Sequence, residues 1–183
     1  MERLFVAFKL SDEARREVER VQRELERLNL STSTRIKWTG GEHHLTLAFL
    51  GDCDETQKLC VQENLGALSG AGAFSLTLGQ LDAFPNMRAP RVLVIHCDDE
   101  KGSAASLANR VREPVIACGI PQENRAFKPH VTLGRVRQSG VRVQGLDTIT
   151  VEPVKFEVNE IGLYASELLP DGPKHTALLR VSL

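Results

Sequence analysis

The spacing of apolar residues predicts one strand and one long helix at the start of the chain. Residues 3–9, RLFVAFK, form a short apolar run typical of a buried strand. Ser11-Asp12-Glu13 then supplies a helix N-cap with acidic residues in the first turn. Apolar residues follow at intervals of three and four, to about residue 29: Ala14, Val18, Val21, Leu25 and Leu28. We therefore expect an amphipathic helix whose Arg- and Glu-rich face is exposed to solvent.

The rest of the chain is rich in strand patterns, with two further helices. Short apolar or alternating runs predict strands at 36–38, 43–50, 74–78, 91–96, 130–136 and about 149–158, 160–166 and 175–182. Helices are expected from a cap at Asp54 to about Leu68 and from about Ser103 to Ala117, where Pro114 would bend or shorten the helix. Polar, Gly or Pro residues predict connections at 31–34, 39–41, 51–52, 70–72, 84–90, 119–121 and 170–173.

One short pattern occurs twice, each time in a predicted strand: His44-Leu45-Thr46-Leu47 and His130-Val131-Thr132-Leu133. Because side chains alternate between the two faces of a strand, each copy presents one imidazole and one hydroxyl on the same face. The apolar residues between them point to the other face, where a core can cover them.

The order of the elements predicts an α+β fold. Strands and helices do not alternate with a single crossover type, so we expect antiparallel sheets flanked by helices. The two motif copies lie close to half the chain apart, which suggests an internal duplication with one motif strand in each half. We expect a single domain over residues 1–183, built as two lobes.

Composition limits the classes of partner. Of the 183 residues, 42% are hydrophobic and 26% are charged, and the net charge is −1. This balance argues against a protein that coats long nucleic acid, although a small basic pocket could still bind one or two phosphates. The sequence shows neither a signal peptide nor a membrane-crossing stretch, so we expect a cytoplasmic protein with no membrane partner. The four cysteines have no metal-like spacing and are expected to be reduced, partly buried thiols.

Two histidines that face one cleft can act as a general acid and a general base, because their ordinary pKa lies near 6.5. In-line displacement at phosphorus needs such a pair, one group for the incoming nucleophile and one for the departing oxygen. The hydroxyls of Thr46 and Thr132 can then donate hydrogen bonds to the non-bridging oxygens, where charge accumulates. We therefore predict an active site of His44, Thr46, His130 and Thr132.

The competing interpretation is a zinc site, but no third ligand stands out near the two motifs. We expect no metal and no cofactor. The remaining histidines lack the repeated pattern, so His43, His96 and His175 are predicted to be structural or surface residues.

The stretches IKWTGGEHHLTLAFLG and FKPHVTLGR resemble the two-histidine (2H) phosphoesterase superfamily. Within it they are most similar to the bacterial RNA 2',3'-cyclic phosphodiesterases, also called 2'-5' RNA ligases of the LigT type. RLFVAFKL, FPNMRAPRVLVI and LYASELLPDGPKHTALLRVSL fit as well, so the resemblance spans nearly the whole chain. There are two departures: Gly134 stands where Ala is common, and His175 where the family usually has an aromatic residue.

The resemblance implies a bilobal LigT-like fold, with two antiparallel sheets, pseudo-two-fold duplication and a central cleft. It also implies hydrolysis of 2',3'-cyclic phosphate ends of RNA or nucleotides, tRNA fragments among them, by a monomer. His44 would be the proton donor to the 3' oxygen and His130 the proton acceptor from water. Arg135 would bind phosphate, provided that a twist or bulge at Gly134 turns it to the motif face. Lys128, Arg88, Arg91, Trp38 and Phe5 are further candidates for phosphate or base contacts.

Two other functions remain open at this point. The first is 2'-5' RNA ligation, in which a 5'-hydroxyl attacks the cyclic phosphate in place of water. The second is a non-catalytic module that binds RNA ends or nucleotides, although such a module has no need for a paired acid and base.

Overall fold

The computed structural model describes residues 1–29, 36–40, 42–137, 142–169 and 172–183. The predicted connection at 31–34, Gly41 and part of the predicted turn at 170–173 lie outside these ranges. In chain order the elements are β1 (Glu2–Lys9), α1 (Asp12–Asn29), β2 (Ile36–Trp38), β3 (His44–Cys53), α2 (Glu55–Gly66), β4 (Phe74–Phe84), β5 (Val92–Asp98), α3 (Ser103–Ala117), β6 (His130–Val136), β7 (Lys155–Val158), β8 (Glu160–Leu169) and β9 (Gly172–Ser182).

The strands form one antiparallel sheet made of two four-stranded halves. The strand order is β7-β4-β5-β6-β3-β1-β8-β9, and β2 pairs with β6 beside this path. Each half contains a strand, a helix and then an antiparallel motif strand in chain order: β1, α1 and β3 in one half, with β2 between α1 and β3, and β5, α3 and β6 in the other. The two halves meet at β3 and β6, through the single residue pair Leu45–Val131. The predicted α+β class, with two motif strands at the centre, is confirmed.

The helices cover one face of the sheet only. Their apolar residues join Leu4, Val6 and Phe8 of β1 in the main core, whereas Phe5, Ala7 and Tyr164 form a small separate cluster. Consecutive residues of β1 therefore alternate between the helix-covered face and the opposite face. We call the opposite face, which also carries His44 and His130, the site face.

The predicted apolar stripe of α1 is confirmed except at its end. Leu28 is 42% exposed, and the buried residue of the last turn is Asn29. Asn29 continues the row of Val21 and Leu25, and its amide donates to the carbonyl oxygens of Leu25 and Gln144 at 2.7 and 3.0 Å. A buried polar side chain with backbone partners cannot be recognised from an apolar pattern.

The charged face of α1 has a structural role that the sequence did not reveal. Glu17 is buried and accepts from the backbone N–H of Glu152 at 2.8 Å, while Arg20 donates to the carbonyl of Thr150 at 2.7 Å. These contacts fix the 150–152 backbone to the helix. The predicted strand at 149–158 is therefore shorter, and only Lys155–Val158 is paired.

The predicted end of β3 is wrong, whereas that of α3 is confirmed. Gly51 does not end β3 but adopts φ +73° within the strand, which continues to Cys53. The predicted span of α3, Ser103–Ala117, is confirmed, and Pro114 does not shorten it. The predicted cap of α2 is confirmed, because the carboxylate of Asp54 accepts from Gln57 N–H at 2.8 Å.

The expectation of four reduced thiols is wrong for two of the four cysteines. Cys60 on α2 and Cys118 just after α3 form a disulfide with a Cα–Cα distance of 5.9 Å, whereas Cys53 and Cys97 are free and buried. The bonded cysteines are 58 residues apart, so their proximity depends on α2 packing against α3 and left no signal in the spacing. None of the helices in the described part of the chain has the length and apolar character that a membrane crossing requires.

Candidate active site

His44 begins β3 and is held on the site face by its own backbone and by neighbouring rings. Its Nδ1 donates to the carbonyl oxygen of Glu42 at 3.0 Å, which leaves Nε2 available to a ligand. The Phe5 ring lies 4.9 Å from the imidazole, centroid to centroid, and the His175 ring stands edge-on at 5.3 Å. The ring is therefore oriented before any substrate arrives.

His130 begins β6 and repeats this arrangement in the other half. Its Nδ1 donates to the carbonyl oxygen of Lys128 at 2.7 Å, again two residues earlier in the chain. The Phe84 ring stands edge-on at 5.0 Å. In both motif histidines a backbone carbonyl therefore fixes the proton on Nδ1 and leaves Nε2 free.

The pair Leu45–Val131 brings the two motifs side by side in antiparallel register. Each threonine lies two residues after its histidine, on the same face of its strand. Thr46 pairs with Ala7 of β1 and Thr132 with Val94 of β5, so each hydroxyl has a small or apolar neighbour on one side. Two imidazoles and two hydroxyls are therefore grouped around the junction of the halves.

A β-bulge follows each motif and changes which face the later residues occupy. In β6, Val94 pairs with Thr132 but Leu93 pairs with Gly134, so Leu133 is the extra residue. Val92 then pairs with Arg135, and Arg135 shares the site face with Thr132. The Arg135 prediction required a twist or bulge at Gly134, and a bulge is present one residue earlier, at Leu133.

The same device occurs in β3. Ala7 pairs with Thr46 but Val6 pairs with Ala48, so Leu47 is the extra residue. Phe49 consequently lies opposite Phe5, on the site face, with 63% of its surface exposed. The sequence did not predict Phe49 as a site residue, because strict alternation from Thr46 would put it on the helix-covered face.

Burial is the main electrostatic influence on both motif histidines. It lowers the pKa of His44 and that of His130 below 6.5, partly opposed in each case by the hydrogen bond to the backbone carbonyl. A charge on His175 also lowers the pKa of His44, and a charge on His96 lowers that of His130. Two imidazoles that share one face of the sheet are the kind of acid–base groups that proton transfer requires.

Two histidines predicted to be structural or surface residues lie within the site. His175 contacts both Phe5 and His44, and its Nδ1 is buried without a hydrogen-bond partner among the described residues. His96 pairs directly with His130 across β5 and β6, and its Nε2 donates to the Asp82 carboxylate at 2.8 Å. Strand pairing far along the chain produces both contacts, so neither prediction could be corrected from local sequence. His43, by contrast, is buried and contacts the Thr39 hydroxyl at 3.3 Å, as expected for a structural residue.

The remaining predicted binding residues are spread over several parts of the structure. Phe5 is only 5% exposed and packs between His44 and Tyr164, and it lines the cavity beside His44. Trp38 packs on Gly134, where the Cβ of an alanine would lie 3.0 Å from the indole. Arg88 and Lys128 line an open cavity of about 600 Å³ together with Phe84. Arg91 is exposed beside the start of β5.

A second cavity, of about 250 Å³, lies beside His44. It is bounded by Lys9, Glu42, Tyr164 and His175, among others. Within the described ranges, no group of three or more His, Cys, Asp or Glu side chains is arranged to hold a metal ion. The chemistry that the described residues can supply is proton transfer and hydrogen bonding to an anion.

Comparison with known proteins agrees with this chemistry. The family model of the 2'-5' RNA ligase superfamily matches residues 10–168. An RNA 2',3'-cyclic phosphodiesterase of Aquifex aeolicus is 32% identical over 96% of this chain and 94% of its own length. A protein of the same name from Escherichia coli K12 is 32% identical over 76% of this chain and 75% of its own.

Solved structures show the same fold. The protein TT0787 of Thermus thermophilus superposes with a TM-score of 0.79 at 30% identity, covering 99% of this chain and 97% of that one. Escherichia coli LigT, in a complex with 3'-AMP, superposes with a TM-score of 0.78 at 26% identity, covering 100% and 98%.

Proposed function

The chain belongs to the 2'-5' RNA ligase superfamily, and from this membership we propose that it is an RNA 2',3'-cyclic phosphodiesterase. It would hydrolyse the cyclic phosphate at the end of RNA or of a nucleotide to a 2'-phosphomonoester, without a metal or cofactor. The observation that carries the proposal is the pairing of the two His-x-Thr motifs across Leu45 and Val131, with matched contacts at both Nδ1 atoms.

The proposed reaction uses the free Nε2 atoms of the two histidines. His130 accepts a proton from water as the water oxygen forms a bond to phosphorus. The bond from phosphorus to the 3' oxygen breaks, and His44 donates a proton to that oxygen. Thr46 and Thr132 donate hydrogen bonds to the non-bridging oxygens, and Arg135 offsets their charge from the same face. Atoms and protons balance, because the two histidines exchange protonation states and are reset through solvent.

The wider proposal is a monomeric, cytoplasmic enzyme in which residues 1–183 act as one domain of two lobes. The part of this proposal that concerns one domain of two lobes is supported by the motif strands, which belong to different halves of one sheet. Ends of cleaved tRNA are among its candidate substrates. The Cys60–Cys118 disulfide is unusual for the cytoplasm. Mass spectrometry of thiol-blocked protein from cells therefore tests the location, and light scattering tests the monomer.

The test of function is turnover of a 2',3'-cyclic mononucleotide and of a short RNA with a cyclic phosphate end. We expect activity in excess EDTA, a 2'-phosphate product, and a loss of about 100-fold or more in His44→Ala and in His130→Ala. Thr46→Val should lose activity as well, while Thr56→Val, at an exposed position on α2, serves as the matched control. Full activity in either histidine variant, with an unchanged circular dichroism spectrum, would contradict the proposal.

Ligation is the second candidate, and the 600 Å³ cavity beside Phe84, on the His130 side, favours it. This space could hold a nucleoside whose 5'-hydroxyl replaces the attacking water. Incubation of RNA halves with cyclic-phosphate and 5'-hydroxyl ends would yield a joined 2'-5' product if the cavity is used in this way. Absence of that product under conditions of full hydrolysis would exclude it.

A further inference from the structure

Phe49 is an exposed aromatic ring on the site face that the proposed reaction does not use. It is 63% exposed, although a phenylalanine on a central strand is normally buried. Its backbone is nevertheless fixed, because it pairs with Phe5 on one side and its carbonyl oxygen accepts from Gln122 Nε2 at 3.0 Å on the other. An exposed ring on a rigid backbone is available to a ligand.

The fold places Phe49 where it places Arg135 in the other half. Each motif is followed by a bulged leucine, Leu47 or Leu133, and the second residue after each bulge returns to the site face. Bulges next to active sites commonly re-aim a side chain in this way. The same backbone device thus presents a cation on one strand and an aromatic ring on the other.

Phe49 is not among the residues that line the 250 Å³ cavity, although its strand partner Phe5 is. The cavity adjoins His44 and the residues that follow β1, such as Leu10 and Asp12. Along β3, Phe49 lies three residues after Thr46, on the side away from His44, at a distance of roughly 10 Å. The cavity has room for one base beside His44, so the reacting nucleotide does not need Phe49.

The surroundings of Phe49 suit an RNA chain. Gln122, which fixes its backbone, belongs to the segment that leads into β6, and this segment carries the exposed cations Arg125 and Lys128. Glu123 pairs with Arg125 at 2.8 Å and offsets part of that charge. Sequence-tolerant recognition of single strands combines cations for the backbone with aromatic rings on which bases stack.

We propose that Phe49 is a stacking platform for an RNA base outside the reacting nucleotide, so that the preferred substrate is an RNA end rather than a mononucleotide. The inference rests on the proposed function for its identification of the reacting nucleotide. A base that stacks on Phe49 would hold in place the RNA that precedes the nucleotide with the cyclic phosphate.

The test compares kcat/KM for a 2',3'-cyclic mononucleotide and for a short oligoribonucleotide with the same terminal nucleotide. Phe49→Ala should lower kcat/KM for the oligonucleotide about 5- to 100-fold, and that for the mononucleotide much less. Phe49→Trp should retain the oligonucleotide activity, whereas Phe49→Leu, which is apolar but cannot stack, should resemble alanine. Leu59→Ala, a 51% exposed leucine on α2, is the control for loss of apolar surface.

Equal losses on both substrates, no loss on the oligonucleotide, or full activity of Phe49→Leu would each overturn the platform. A binding measurement separates this result from failure of the proposed function. The Kd of an RNA with a 2'-phosphate end, carrying 2-aminopurine next to the terminal base, should rise in Phe49→Ala, and the quenching of the fluorophore should weaken. An unchanged Kd would refute the platform even if neither substrate is turned over by the wild-type protein.

Discussion

The two motif histidines are held by almost the same contacts but have different neighbours. Each Nδ1 is fixed by a carbonyl two residues earlier in the chain. His44 is enclosed by Phe5 and His175, whereas His130 adjoins His96, which is hydrogen-bonded to a carboxylate. The shared contacts leave Nε2 of both residues free, and the unshared ones can set their pKa values independently.

The first prediction concerns the pH dependence of turnover. Burial lowers the pKa of both His44 and His130, and a bell-shaped profile of kcat/KM has its maximum at the mean of the two pKa values, whichever residue is the acid. We expect the maximum below about pH 6.5. The kcat profile should peak at higher pH, because a bound phosphate anion raises both pKa values. A kcat/KM maximum above neutrality would contradict the assignment.

The second prediction separates the two histidines through their neighbours. His96→Gln removes a positive charge that lowers the pKa of His130, so this pKa should rise and the acidic limb of the profile should move to higher pH. His175→Gln should instead raise the pKa of His44 and move the alkaline limb. Each variant is the control for the other. NMR titration of the imidazole ring protons measures both pKa values directly, and a shift of the same histidine in both variants would be inconsistent with the geometry.

At the scale of elements, the disulfide links two helices that the sheet alone would not connect. Cys60 and Cys118 join α2 to the end of α3, and the amide of Asn64 lies 3.7 Å from both sulfur atoms. The link closes a long loop that contains β4, β5 and α3. Closing such a loop restricts the unfolded chain more than the folded one.

The third prediction follows from this loop. Cys60→Ser/Cys118→Ser should lower the free energy of unfolding by about 2–4 kcal/mol, with little effect on turnover, since the link lies on the helix-covered side of the sheet. Urea denaturation of the variant and of the oxidised wild-type protein measures the difference. Cys53→Ser/Cys97→Ser would not be a matched control, because both thiols are buried. Reduced wild-type protein is the better comparison, and it should behave like the double variant.

The sequence could predict what depends on local pattern and no more. The helices, the motif strands and the four residues His44, Thr46, His130 and Thr132 follow from periodicity and repetition. The position of Arg135 could be predicted only if its strand contained a twist or bulge, and the bulge before Phe49 was not predicted. An extra residue in a strand leaves no mark in the sequence. His96, His175 and the disulfide depend on register between distant segments, which an apolar pattern does not encode.

At the scale of the molecule, protonation of buried histidines should limit stability in mild acid. The pKa values of His43, His44, His130 and His175 are all lowered, chiefly by burial. A histidine whose pKa is lower in the folded state contributes stability above its unfolded pKa, and this contribution is lost as the pH falls.

The fourth prediction is therefore that Tm decreases between about pH 7 and pH 5, before most carboxylates titrate. His43→Gln, which keeps a polar group next to the Thr39 hydroxyl but cannot titrate in this range, should reduce the slope. Differential scanning calorimetry at a series of pH values provides the measurement. A Tm that rises on acidification would show that other groups dominate.

The junction of the halves at Leu45 and Val131 also determines which residues can distinguish the two motifs. An approximate rotation about this pair exchanges His44 with His130 and Thr46 with Thr132, so the backbone does not distinguish a donor from an acceptor. The direction of proton flow is then a property of side chains that lie off the axis, such as Phe49 and Arg135 or His175 and His96. A small number of substitutions at these positions could exchange the proton donor and the proton acceptor, or reverse the direction in which an RNA strand lies across the site. The sheet itself would stay unchanged.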